Sequence, residues 1–148
     1  IDARRAGYGR ALADSGIAFD ESLYGEVEFA GYERNLPGVL DRIFARDEGV
    51  DGFFFTTHIL ALEAFRYTGE LLGRALADVV TVTSPEAIFL FGGLSKAGKL
   101  IFEPTQWYME ENMLFVFKNK VKLLPSGIQG KNAAILGASA LIWQQENK

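Results

Sequence analysis

Residues 84–95 read SPEAIFLFGGLS, and this stretch decides the fold. Ser84-Pro85-Glu86 is typical of a turn, residues 87–91 form a wholly apolar run, and Gly92-Gly93 ends that run abruptly. A short apolar run without polar alternation is typical of a strand that is covered on both faces, as in a parallel sheet. The stretch therefore predicts a buried parallel strand followed by a glycine turn.

Helical and strand patterns alternate on both sides of this strand. Apolar residues at helical spacing predict helices over residues 4–15, 35–46, 57–82, 103–115 and 132–145. Short apolar or alternating runs predict further strands over residues 26–29, 52–56 and 121–124. This order of elements predicts an α/β fold in which a mostly parallel sheet is flanked by helices.

Composition excludes several classes of function. The chain has 148 residues, of which 49% are hydrophobic, and its net charge of -4 does not suit binding to nucleic acid phosphates. The absence of cysteine excludes disulfides and thiolate metal sites, and a single histidine excludes a multi-histidine site. No stretch approaches the roughly 20 apolar residues of a membrane span. We therefore expect a cytoplasmic protein with no membrane or direct nucleic acid partner. The composition does not decide whether the protein forms a homo-oligomer.

The residues themselves suggest two candidate sites. Gly92, Gly93, Leu94 and Ser95 follow the end of a strand, where backbone N–H groups can meet an anion and where open α/β sheets bind ligands; the alternative is a tight turn. Arg4 could bind a polyhydroxylated or anionic ligand through its guanidinium group. The alternative is that Arg4 is a solvated residue at the start of a helix.

His58 follows a predicted strand and could hydrogen-bond a ligand or act as a base; the alternative is a structural residue at a helix start. The carboxylates form no recognisable acid/base pair. We therefore name no catalytic residue and no metal ligand from the sequence.

From about Leu62 onward the sequence resembles the C-terminal part of the ROK family, which includes repressors and bacterial glucokinases. The strings LEAFRYTGELLGRALADVVTVTSPEAIFLFGGLSKAGKLIFEP and LLPSGIQGKNAAILGASALIW carry the resemblance. It implies an actin-like ATPase or ribonuclease H-like fold, with ATP and magnesium as the cofactor. It also implies that Gly92, Gly93, Leu94 and Ser95 lie against the adenosine of ATP.

The departures from the ROK pattern concern catalysis. A kinase of this family also needs an Asp-x-Gly-x-Thr phosphate loop, a catalytic Asp, sugar-binding Glu and His residues and generally a Cys-rich zinc motif. None of these motifs is recognisable in the sequence. We therefore expect this segment to be inactive by itself, and whether it is part of an enzyme stays open.

The first 60 or so residues resemble a different family. The strings RRAGYGRALADSGIAFDE and GVDGFFFTTHILALEA resemble the second lobe of the effector-binding domain in the lactose/galactose repressor family, which is built like periplasmic sugar-binding proteins. The resemblance implies that Arg4, in an Arg-x-x-Gly-aromatic motif, contacts a sugar effector. It places His58 where the family commonly has Asp.

The two resemblances together predict a boundary within one helix, with residues 1–61 forming a repressor-type lobe fragment and residues 62–148 a glucokinase-like fragment. Our leading hypothesis is a fragment of a ROK-type kinase that phosphorylates glucose or a related hexose, with a sugar and a nucleotide as partners. One alternative is the effector-binding module of a sugar-responsive transcription regulator. The other is an engineered or assembly-derived chimera that binds no ligand.

Overall fold

The computed structural model describes residues 2–46, 50 and 52–127, and these residues form four α-helices and two β-strands. In chain order the elements are α1 (Asp2–Asp14), α2 (Tyr32–Phe44), α3 (His58–Thr83), β1 (Ala87–Leu90), α4 (Lys99–Asn112) and β2 (Lys122–Pro125). Two short 3-10 helices cover Glu21–Leu23 and Leu94–Ala97. The predicted helix over residues 132–145 lies outside the described residues.

The chain divides into two compact units, Ile1–Ala64 and Phe65–Lys148. Each unit is a region of dense internal contact. The boundary predicted after residue 61 separates two family resemblances, and the division into compact units does not test it. It therefore stays a prediction.

In the second unit, β1 and β2 pair in parallel. Ala87 lies opposite Lys122 and Leu90 lies opposite Pro125, and α4 lies between the two strands in the sequence. Parallel strands need such a crossover because a tight hairpin cannot join them. The predicted α/β class with parallel strands is confirmed at this coarse level.

The core of the second unit is formed by apolar side chains from α3, α4 and the segment that leads into β2. Val80 and Met109 are both 0% exposed, which shows that the facing sides of the two helices exclude water. The buried cluster consists of Ala77, Val80, Met109, Met113, Val121 and Leu123. Burial of this apolar surface is the main force that holds the unit together.

Two glycines let α3 approach α4 closely. A Cβ atom added at Gly69 would lie 2.7 Å from Pro104 Cγ, and one added at Gly73 would lie 2.6 Å from the carbonyl oxygen of Thr105. Real Cβ atoms do not come this close to other heavy atoms. The missing side chains at Gly69 and Gly73 therefore set the distance between these helices.

In the first unit, α2 packs through one face and a preceding turn is tied to it by hydrogen bonds. Leu36, Leu40 and Ile43 of α2 are buried at helical spacing. Arg42 on the same helix donates hydrogen bonds to the carbonyl oxygens of Ser22 and Tyr24, at 3.0 and 2.9 Å. The segment that follows the first 3-10 helix is thereby fixed to α2.

Two predicted strands are absent from the described chain. Residues 26–29 and 52–56 are not assigned to any strand. The aromatic residues of the second segment instead contact each other and α2: Phe53 and Phe55 stack at 5.9 Å, and Phe44 lies 5.2 Å from Phe53. Alternating or apolar residues supply the side chains of a strand but not the partner backbone that a strand requires.

Helices α2 and α4 begin earlier than the sequence pattern predicted. The predicted starts at residues 35 and 103 assumed that Pro37 and Pro104 occupy first turns, where proline costs least. Both prolines instead lie further inside their helices. At Pro104 the reason is visible, because its ring packs against the position where Gly69 has no side chain.

Candidate functional site

The turn that follows β1 contains three closely spaced glycines with different backbone conformations. Gly92 has φ +96° and Gly98 has φ +58°, values that favour glycine, and these two residues flank the 3-10 helix Leu94–Ala97. Gly93 has φ -62° and ψ -45°, which any residue adopts. Helix α4 begins directly after Gly98.

Internal hydrogen bonds fix this turn. Ser95 Oγ donates to the Gly92 carbonyl at 2.9 Å, the Lys96 N–H donates to the Gly93 carbonyl at 3.1 Å, and the Gly98 N–H donates to the Ser95 carbonyl at 3.2 Å. The Gly98 carbonyl in turn accepts from the first turn of α4. The predicted site residue Ser95 therefore holds the turn in shape.

The turn is open on the side where a glycine Cβ would stand. A Cβ atom added at Gly92 or Gly93 would meet no heavy atom of the described residues within 4 Å. Gly92 is explained by its positive φ, but Gly93 is explained neither by its φ nor by crowding from the part of the chain that the structure describes. Leu94 is 46% exposed and Phe91 is 59% exposed beside it. The turn thus presents bare backbone next to apolar side chains, which is a surface that a flat ligand can approach closely.

The structure brings Gly92, Gly93, Leu94 and Ser95 together in one turn, as their sequence adjacency requires. It places the other two predicted site residues in the first unit. Arg4 Nη1 donates to the Thr56 carbonyl at 3.0 Å, and Arg4 lines a cavity of about 100 Å³. His58 is the exposed first residue of α3 and is not among the residues that line this cavity. That Arg4 and His58 contact one effector stays a prediction.

Sequence reasoning missed the aromatic wall of this cavity. Tyr8 and Phe54 stack at 6.2 Å with ring planes 7° apart, and both line the cavity with Arg4. These residues are far apart in the sequence and no local spacing connects them. Only the tertiary structure could identify them as neighbours.

Among residues 2–46, 50 and 52–127, no three His, Asp or Glu side chains group in a way that could hold a metal ion. Within the same ranges, no helix combines the length and the apolar character that crossing a membrane requires.

Comparison with known protein families identifies the region around the glycine turn. The sequence model of the ROK family matches residues 53–145, which include all of β1, the glycine turn, α4 and β2. The chain belongs to the ROK family. The predicted ROK resemblance is therefore confirmed, and the parallel α/β arrangement is consistent with the actin-like fold of the ROK family at a coarse level. The match covers none of residues 1–52, so the resemblance of that region to the lactose/galactose repressor family stays a prediction.

Two curated relatives of this ROK chain are glucokinases. The glucokinase of Halalkalibacterium halodurans is 28% identical over 105 residues, which cover 71% of this chain and 29% of the relative. The glucokinase of Thermotoga maritima is 29% identical over 73 residues, which cover 49% of this chain and 23% of the relative. The ROK chain thus spans less than a third of the length of each relative. No solved structure gives a significant match.

Proposed function

We propose that this chain supplies the nucleotide side of a ROK-type sugar kinase, in which ATP phosphorylates glucose or a related hexose. The observation that carries the proposal is Gly93, whose missing side chain serves neither the backbone conformation nor the packing of the described residues. A ligand that lies against the backbone would require that bare position. The names of the two glucokinase relatives support ATP as this ligand.

The residues of the glycine turn suit the adenosine part of ATP. The bare backbone of Gly92 and Gly93 leaves room for a flat ring, and the exposed side chain of Leu94 offers it an apolar contact. Ser95 keeps the turn in shape through its hydrogen bond to the Gly92 carbonyl. When bound, ATP with magnesium would supply the phosphoryl group, and the four residues 92–95 would bind and orient its nucleoside.

The same proposal assigns no chemical step to this chain. Phosphoryl transfer needs a group that positions the attacking hydroxyl and groups that neutralise the developing charge on the phosphates. The described residues contain no cluster of carboxylates suited to magnesium, and the sequence has no Asp-x-Gly-x-Thr loop. We therefore expect nucleotide binding without sugar phosphorylation when this chain is assayed alone.

Thermal unfolding with and without magnesium ATP tests the proposal. A ligand that binds only the folded state raises the melting temperature by mass action. We expect ATP to raise the melting temperature of the chain, and we expect Gly93→Leu to abolish that rise while leaving the melting temperature without ATP nearly unchanged. Gly38→Leu is the matched control, because a Cβ at Gly38 also meets no described atom within 4 Å and Gly38 lies in α2, away from the glycine turn in the sequence.

Three results would contradict the proposal. One is a chain whose melting temperature does not respond to ATP. The second is an ATP response that survives Gly93→Leu, and the third is a response that Gly38→Leu abolishes equally. A coupled assay for glucose phosphorylation, run on the same samples, tests the expected absence of turnover separately from binding.

A further inference from the structure

Strand β1 has an open backbone edge on the side away from β2. The carbonyl oxygens of Glu86 and Leu90 accept backbone hydrogen bonds from the β2 side, at 3.1 and 2.9 Å. Successive residues of a strand direct their N–H and C=O groups to alternate sides, so those of Ala87 and Phe89 point away from β2. Within the described part of the chain, β1 pairs with no strand other than β2. The outer edge of β1 can therefore accept a further strand.

The sheet face beside this edge carries exposed aromatic side chains. Ile88 and Leu90 pack against the buried cluster of the second unit, whereas Phe89 in the strand and Phe91 directly after it are each 59% exposed. Because side chains alternate along a strand, the two phenylalanines lie on the sheet face opposite to the core. Most of their apolar surface is thus in contact with solvent next to the open edge.

The two strands of the sheet differ in how their edges are protected. Lysine and proline are residues that keep an edge strand from pairing with another chain. Strand β2 contains both, as the exposed residues Lys122 and Pro125. Residues 87–95 contain neither, and they include no charged residue of either sign. The edge of β1 therefore lacks the features that prevent strand addition.

The side chains of β1 are complementary to those of a second copy of the same strand. Two copies that run antiparallel about a two-fold axis at Phe89 would exchange hydrogen bonds between the two Phe89 residues. In this register the large Phe91 of each copy lies opposite the small Ala87 of the other, and no like charges meet. We propose that β1 pairs in this way with β1 of a second copy, which joins the two sheets into one sheet of four strands.

The small size of this interface sets its strength. Pairing would satisfy the open backbone groups and cover the phenylalanines, and a sheet of more than two strands is more stable than an isolated pair. Only one short strand of each copy takes part, and interfaces of low area are typical of transient complexes. We therefore expect a dimer that dissociates on dilution.

Sedimentation velocity of the full chain over a series of concentrations tests the pairing. We expect a reversible equilibrium between monomer and dimer, because a two-fold interface closes at two copies. Phe89→Lys should raise the dissociation constant of the dimer at least about tenfold, since two lysines would then lie opposite each other. Phe115→Lys is the matched control, because it makes the same change at a phenylalanine that is 84% exposed and lies outside β1, and it should leave the dimer unchanged.

A mixture of the Phe89→Lys and Phe89→Glu variants tests the register. Each variant alone should remain largely monomeric, because two like charges would meet at the two-fold axis. The mixture should recover the dimer, because lysine then lies opposite glutamate. Melting temperatures of all variants show whether a lost dimer reflects lost folding.

Several results would overturn the proposal. The unmodified chain could stay monomeric at every concentration, or it could form species larger than a dimer. Phe89→Lys and Phe115→Lys could weaken association equally, or the mixture could associate no better than either variant alone. No nucleotide is present in these experiments, so their outcome is independent of the ATP response that tests the proposed function.

Discussion

Two pairs of glycines in the second unit have opposite surroundings. Gly69 and Gly73 lie in α3 where every added Cβ would collide with α4, at distances of 2.6 to 3.0 Å. Gly92 and Gly93 lie in the turn after β1, where an added Cβ would meet no atom of residues 2–46, 50 and 52–127 within 4 Å. The first pair is therefore required by the packing of the protein itself. The second pair leaves space that the described chain does not fill, and Gly93 lacks even a conformational reason for its small size.

The largest effect is expected from Gly73→Ala. The new methyl group would meet the Thr105 carbonyl oxygen at 2.6 Å and the Met109 backbone nitrogen at 2.8 Å, and backbone atoms of a helix cannot move aside separately. We expect a loss of about 3 kcal/mol in the free energy of unfolding, at the upper end of what overpacking costs. Urea unfolding followed by circular dichroism measures the loss. A change below about 0.5 kcal/mol would remove the packing explanation for this glycine.

A smaller loss is expected from Gly92→Ala. No atom of the described chain obstructs the new methyl group, but the φ of +96° is unfavourable for alanine. We expect a loss of about 1 to 2 kcal/mol from backbone strain alone. The same urea titration applies, and Gly92→Asn should lose less because asparagine tolerates positive φ better than alanine does. Equal losses for the two variants would contradict strain as the cause.

Thr105→Val is expected to stabilise the helix crossing slightly. Thr105 is 0% exposed, and its hydroxyl oxygen has no hydrogen-bond partner among the residues that the structure describes. Replacing an unpartnered buried hydroxyl by a methyl group of similar size should raise the free energy of unfolding by about 1 kcal/mol. Thr105→Ser, which keeps the hydroxyl and removes a methyl group, is the contrasting variant and should destabilise. A destabilising valine would indicate that the hydroxyl is satisfied in solution.

The smallest effect on stability is expected from Gly93→Ala. Its backbone conformation suits alanine, and the methyl group meets none of the described residues, so the free energy of unfolding should change by less than about 0.5 kcal/mol. The urea midpoint without ligand measures this change. A large loss would show that Gly93, like Gly73, serves the packing of the chain, and the comparison between the two glycine pairs would fail.

The sequence predicted the second unit better than the first for a physical reason. The run at 87–91 is wholly apolar, and the run at 121–124 is apolar except for Lys122; their two strands pair with each other and pack on helices. The run at 26–29 alternates polar and apolar residues and the run at 52–56 is rich in aromatic residues, so both were predicted as strands. Phe53 and Phe55 instead contact other aromatic rings, and neither run pairs with a strand among the described residues. The pattern of side chains predicts which residues are buried, but it does not predict which two backbone segments pair as strands.

The candidate site residues also differ in whether the sequence could predict them. Gly92 to Ser95 could be found from the sequence because they are consecutive and follow a recognisable strand. The cavity beside Arg4 could not be found, because Tyr8 and Phe54 become neighbours only through the tertiary structure. The predicted start of α4 was wrong because a proline rule based on local conformation omits tertiary contacts, such as the contact of the Pro104 ring with the Gly69 position of α3.

The parallel pairing of β1 and β2 has a consequence for the order of folding. Leu90 and Lys122 are joined by the whole glycine turn, α4 and the segment after it, so the two strands can meet only after a long loop has closed. Helix α4 forms from local contacts and needs no such closure. We therefore expect the strand pair to be absent from early folding events and to form late, once α4 has shortened the distance that the chain must span.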